Sequence, residues 1–230
     1  MVTLKEVTKS FKQEHLSRFL IRYFYYPLAV LVSWVAINLG IHAHLVNLAG
    51  LAGTIIASYL IFYIGGKWMI LAGILVLFGL VIDLSDGTVA RHYNKKNAMG
   101  KWLDESSGII GVSLVFFSLM MKTFVETNDL LIIILGTWVI FSYFMINYAA
   151  LLSEALRVKF NLSNPMDNVR KGLSKTFFGL NPGFFAFALD IQWTLVGLGV
   201  IFDVPYTLFI VFGTISTLQW LSRYFVFWGK

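Results

Sequence analysis

A chain of 230 residues would ordinarily fold as one or two soluble domains, yet 58% of this one is hydrophobic and 13% is charged, against about 25% charged in an average soluble domain. The formal charge of +6 does not argue for nucleic acid, because the 18 lysines and arginines sit mostly in short connections between apolar runs, where lipid orientation accounts for them. With no cysteine, a disulfide framework, a thiolate metal site and a cysteine nucleophile are excluded. An integral membrane protein is the expectation.

Taken in chain order, residues 3–17 put Leu4, Val7, Phe11 and Leu16 on one helical face and Lys5, Lys9 and Lys12 elsewhere, which predicts an amphipathic helix lying on the membrane surface. No cleavable signal peptide is read in this stretch, which lacks a short apolar core and a small-residue cleavage site. Residues 19–40 are apolar but carry Arg22 and Pro27. Six further runs, 45–65, 67–92, 100–122, 130–151, 183–202 and 205–228, approach or exceed the roughly 20 residues that cross a bilayer. Trp68, Trp102, Trp220 and Trp228 fall near run ends, where aromatic belts form. The one long polar connection, 153–182, closes on Asn181-Pro182, a helix-start pair.

Positive charge then orients the runs. If all six span and 93–99 is cytosolic, Arg91, Lys95, Lys96, Lys101, Arg157, Lys159, Arg170, Lys171, Lys175, Arg223 and Lys230 lie inside, and Lys67 and Lys122 outside. A seventh span over 19–40 would push Lys5, Lys9, Lys12, Arg18 and Arg22 to the outer face. The expected architecture is therefore an all-α bundle of six transmembrane helices (45–230) behind an N-terminal amphipathic and interfacial segment (1–44), in a bacterial plasma membrane.

Carboxylates are rare inside membranes, yet the second run ends in VIDLSDGTVARHY. Asp83 and Asp86 are three apart and share a helical face, which Gly87 and Ala90 extend with little side chain before Arg91. The third run opens with GKWLDESSG, where Gly100, Asp104 and Gly108 recur every four residues on one face. A short connection makes the two helices antiparallel neighbours, so three carboxylates converge near the cytosolic surface. They would repel one another unless a cation lay between them. Oxygen ligands without nearby Cys or His favour Mg²⁺, Mn²⁺ or Ca²⁺, and Arg91 suits a phosphate. His42, His44 and His92 have no metal-ligand spacing and are read as structural.

This run resembles the signature of the CDP-alcohol phosphotransferases, D-x2-D-G-x2-A-R-x8-G-x3-D-x3-D, with Asp83, Asp86, Gly87, Ala90, Arg91, Gly100 and Asp104 at matching positions and spacings. The resemblance implies six spans and transfer of a substituted phosphoryl group from a CDP-alcohol, such as CDP-diacylglycerol, to an acceptor, with release of CMP. It also implies Mg²⁺ or Mn²⁺ at Asp83, Asp86 and Asp104, and nucleotide contacts at Asp83, Gly87, Ala90, Arg91 and Gly100. The implied partners are the donor, a lipid, glycan-linked or small-alcohol acceptor, membrane lipids and a second copy of the chain as a homodimer. Gly108 stands where the family has its last Asp, the proposed general base for the acceptor hydroxyl. Two routes of acceptor activation stay open. In one, another group takes the proton, Asp190 being the first candidate and Glu105 the second, beside Asp104 as a catalytic carboxylate. Otherwise an acidic acceptor attacks without a base. The competing readings are a non-catalytic relative that binds CDP-alcohol or lipid without turnover, and a cation or proton carrier, which the gathering of the carboxylates at one membrane face disfavours.

Overall fold

The computed structural model describes residues 2–12, 15–16, 18–94, 98–161 and 188–228. Among them the regular structure is helical. A short helix α1 (Leu4–Ser10) is followed by a π-helical turn (Ile21–Tyr25) that runs into α2 (Tyr26–Asn38). Then come α3 (Ala43–Ile64), α4 (Trp68–His92), α5 (Ala98–Thr127), α6 (Leu130–Phe160), α7 (Leu189–Ile201) and α8 (Pro205–Trp228).

The expected six spans are corrected to four. Among the described residues, α3, α4, α5 and α6 are the helices long and apolar enough to cross a membrane. The shortest of them has 22 residues, about 33 Å at 1.5 Å per residue, against a hydrocarbon core of about 30 Å. The other two expected spans fall short for different physical reasons. Over 183–202 the described helix is α7, with 13 residues and thus roughly 20 Å of length. Over 205–228, α8 is long enough, but Thr207, Thr214, Ser216, Thr217, Gln219 and Ser222 dilute its apolar run. The structure is consistent with an integral membrane protein of the all-α class. Asn181-Pro182 and the basic residues Arg170, Lys171 and Lys175 lie outside the described residues.

The N-terminal segment packs part of its apolar face on protein. Thr3 caps α1 with a reciprocal box: its backbone N–H donates to Glu6 Oε2 at 2.7 Å, and its hydroxyl accepts from the Glu6 N–H at 3.4 Å. Val7 and Phe11 are buried in the core. The Val2 backbone is held by α2, whose Asn38 accepts from its N–H and whose Trp34 indole donates to its carbonyl, both at 2.8 Å.

In the bundle, α3 lies against α4 and α5, α4 against α2 and α7, and α6 against α5 and α8. Phe116, Phe209 and Phe212 are fully buried where α5 and α8 meet, the rings of Phe116 and Phe212 crossing edge-on at 4.9 Å. The α4–α7 crossing depends on missing side chains, since a Cβ on Gly73 would stand 2.6 Å from the Gly197 carbonyl oxygen. Asparagine or aspartate in the left-handed region follows α4, α5, α6 and α7: Asn94, Asn128, Asn161 and Asp203, with φ of 51°, 54°, 52° and 49°.

Asp129 starts α6, accepting from the Leu131 N–H at 2.9 Å and from the Tyr206 hydroxyl of α8 at 2.7 Å. The Tyr206 hydrogen bond, then the backbone one, hold its carboxyl below the usual carboxylate range. A lowered pKa means the contribution is complete above the unfolded value and is lost as pH falls through the folded one. The thermal advantage of the wild type over Tyr206→Phe is expected to be constant above about pH 5 and to shrink below about pH 4, as read by melts of the detergent-solubilised protein.

Candidate active site

At one end of the bundle α4 finishes and α5 begins, and here the three aspartates meet. Asp83 and Asp86 lie one turn apart on α4, and the charges of both interact with that of Asp104, in the second turn of α5. Asp83 and Asp104 are half-buried, and Asp86 is 6% exposed. α4 and α5 touch sparingly along their lengths, because α3 lies against both. From α3 comes Asn47, whose Nδ2 donates to Asp86 Oδ2 at 2.7 Å. The other end of that amide, Oδ1, is buried without a hydrogen-bond partner among the described residues.

Arg91 is anchored from two sides. Its Nε donates to the Ser10 carbonyl at the end of α1 at 2.7 Å, and its Nη2 to the Thr88 hydroxyl at 3.1 Å. Gly87 makes room for this pose: a Cβ there would stand 3.2 Å from Arg91 Nη1.

Two cavities flank the cluster. The larger, about 880 Å³, is lined by Gly87, Ala90, Arg91 and Gly100 together with Asp86, Asp104, Lys101, Asn47 and the pair His42 and His44. The smaller, about 350 Å³, is lined by Asp83, Asp86, Asp104, Glu105 and Gly108 on the α4–α5 side and by Lys12, His15 and Arg18 from the N-terminal segment. Asp86, Gly87, Arg91 and Asp104 line both, so they form the wall that the two spaces share.

The candidate residues thus divide. Asp86, Gly87, Ala90, Arg91, Gly100 and Asp104 surround the larger cavity, while Asp83 faces the smaller one. Glu105 is exposed on the smaller cavity's wall. Asp190 sits in the first turn of α7, 2% exposed, with Oδ1 3.5 Å from Arg18 Nη1. That is an ion pair, longer than a good hydrogen bond, and Asp190 is absent from both linings whereas its neighbour Leu189 and its partner Arg18 line the smaller one. Gly108 opens onto empty space, with nothing within 4 Å of an added Cβ.

Sequence reasoning missed Asn47, His15, Lys12 and Arg18 as cavity residues, and it read His42 and His44 as structural where both line the larger cavity. Only the amphipathic spacing of 3–17 hinted that its basic residues would share a side; no local signal could have brought Asn47 to Asp86 across 39 positions.

Among the described residues no group of three acidic or histidine side chains is arranged to hold a metal ion. In chemistry, however, the donor set suits a hard divalent cation. Its carboxylates face one another, and the Asn47 Oδ1 beside them is a buried acceptor with nothing to accept from. No curated protein sequence matches the chain. The family described as CDP-alcohol phosphatidyltransferase matches residues 41–205, from the start of α3 to the start of α8.

Two glycines on α5, one turn apart, give a contrast that checks this geometry. Gly108→Ala is expected to leave stability unchanged or to raise it by up to about 1 kcal/mol, since the site is open and Ala favours helix. Gly111→Ala would place its Cβ 2.6 Å from Thr54 Oγ1 on α3 and is expected to lower stability by about 1–3 kcal/mol, both read as shifts in thermal midpoint.

Proposed function

This chain belongs to the CDP-alcohol phosphatidyltransferase family, and from that premise we propose that it transfers a substituted phosphoryl group from a CDP-alcohol to an acceptor and releases CMP. Membership suggests a transferase that uses CDP-alcohols. The observation that carries the finer reading is the shared wall: a space large enough for a nucleotide diphosphate and a second, smaller space meet at Asp86, Gly87, Arg91 and Asp104.

In this reading the donor occupies the 880 Å³ cavity, where Gly87, Ala90 and Gly100 leave room and the Arg91 guanidinium binds a phosphate. The acceptor enters from the 350 Å³ cavity. Its oxygen forms a bond to the phosphorus that carries the alcohol, and the bond from that phosphorus to CMP breaks. Asp83, Asp86 and Asp104 would hold Mg²⁺ or Mn²⁺, which supplies neutralising charge for the diphosphate when bound. Asn47 orients Asp86 by its 2.7 Å hydrogen bond, as outer-shell partners do for metal ligands. Positioning and charge are most of what phosphoryl transfer asks of a protein.

The site faces the cytosol in this reading. The end of the bundle that holds it carries Arg91, Lys101, Arg157 and Lys159 and the basic N-terminal segment, whereas at the opposite end Lys67 stands alone beside Lys122, which is paired with Asp203 and Glu126.

The test is CMP release from a panel of CDP-alcohols with Mg²⁺. Wild type is expected to turn over, and Asp83→Asn and Asp104→Asn to lose at least about a hundredfold in rate. Asn47→Leu is expected to weaken Mg²⁺-dependent donor binding by about 10–100-fold, the usual cost of an outer-shell loss. Tight donor binding with no CMP release from any pair would instead establish the non-catalytic relative that Gly108 suggests, and wild-type metal and donor affinity in Asp104→Asn would refute the assignment of the aspartates.

A further inference from the structure

With glycine at 108, the chain lacks the carboxylate that the resemblance implies as the base for the acceptor, and the lining of the smaller cavity offers other groups. The N-terminal segment is fastened to α4 and to α7, at points on either side of His15. Ser10 holds Arg91 through its carbonyl at 2.7 Å, and Arg18 pairs with Asp190 at 3.5 Å. Between them lies His15. Its backbone is fixed in a turn, its N–H donating to the Lys12 carbonyl and its carbonyl accepting from the Arg18 N–H, each at 3.1 Å. Its ring meets the buried Phe11 ring edge-on, with centroids 6.2 Å apart. It lines the smaller cavity, as Gly108 does, and the absence of any atom within 4 Å of a Cβ on Gly108 leaves room there for an acceptor.

We propose that His15 is the general base of this chain, taking the acceptor proton that the missing carboxylate at 108 would otherwise take; the proposal rests on the transferase reading. The acceptor O–H gives its proton to an imidazole nitrogen as its oxygen forms the new bond to phosphorus, and the bond to CMP breaks. The proton leaves from the imidazolium to water after CMP departs.

The alternatives are less well placed. Asp190 is enclosed against Arg18 and absent from the cavity wall, so it positions Arg18, and through it the segment that carries His15. Glu105 is exposed and turned about 100° round the helix from Asp104, off the face that Asp104 and Gly108 share. An imidazole supplied by the N-terminal segment takes a proton without adding negative charge beside the aspartates.

The experiment uses the full chain in lipid nanodiscs with CDP-diacylglycerol, Mg²⁺ and, in turn, glycerol 3-phosphate, inositol 1-phosphate and serine. Wild-type CMP release is read first, and its absence with every pair brings down the transferase reading, and this proposal with it. Given wild-type turnover, His15→Gln should lower kcat at least about tenfold while the donor Kd changes by less than about threefold. In a chain carrying Gly108→Asp, the same His15→Gln change should lower kcat by less than about threefold, because a carboxylate has returned to the place of the base. Equal kcat in wild type and His15→Gln overturns the proposal and leaves the transferase reading intact. So does an equal loss in both backgrounds, or a loss of donor binding with activity, since a purely structural role for His15 would not be relieved by Asp at 108.

Discussion

Three carboxylates within reach of one another at the end of an apolar helix bundle repel, and in a poorly polarisable surrounding that repulsion is far stronger than in water. The organisation of this end of the molecule follows from offsetting it. Asn47 reaches in from α3 to donate to Asp86, and the Arg91 guanidinium stands over Gly87 on the same turn of α4. Lys12 and Arg18 face the acids across the smaller cavity. What remains without a partner among the described residues is the buried Asn47 Oδ1 beside the aspartates.

That electrostatic demand also gives the N-terminal segment its place. A basic amphipathic stretch could lie on any anionic lipid surface. Here its apolar residues Val7 and Phe11 are taken into the core, Trp34 and Asn38 grip its first residues, and the Ser10 carbonyl receives the motif arginine. Burial of these two apolar side chains, worth about 1.5–3 kcal/mol each, helps to hold the segment on the bundle. Arg91 therefore joins two tasks, presenting cationic charge at the shared wall and fastening the segment that closes the smaller cavity.

How much of this the sequence disclosed depends on how local the signal was. Asp83, Asp86, Gly87, Arg91, Gly100 and Asp104 were legible because helical periodicity fixes their faces and a short connection makes their helices meet. Asn47 and His15 were not, because each reaches the site by tertiary packing and neither stands in a motif of its own. The capping box of Thr3 and Glu6 was written in the sequence but submerged in the amphipathic pattern. Helix ends were misplaced where an apolar run and a helix part company: α6 continues past 151 through Ser153, Glu154 and Arg157 to its left-handed stop at Asn161, tied back to α5 by Lys101 and Glu154 at 3.0 Å. The number of spans was overstated because apolar runs were counted without asking whether the helix formed over each was both long and unbroken by hydroxyl and amide side chains, as α8 is not.

Far from the aspartates, the almost fully buried Lys122 donates to Asp203 at 2.7 Å and to Glu126 at 3.0 Å, so that α5 is stapled to the corner between α7 and α8. The same lysine stem lies 3.6 Å from the position of a Cβ on Gly65, in the positive-φ glycine pair that folds α3 back into α4. One end of the bundle is thus clasped, and both large hollows are at the other. The buried ammonium at the clasp is held by two carboxylates at once, so losing either one would leave its charge less compensated in an apolar surrounding.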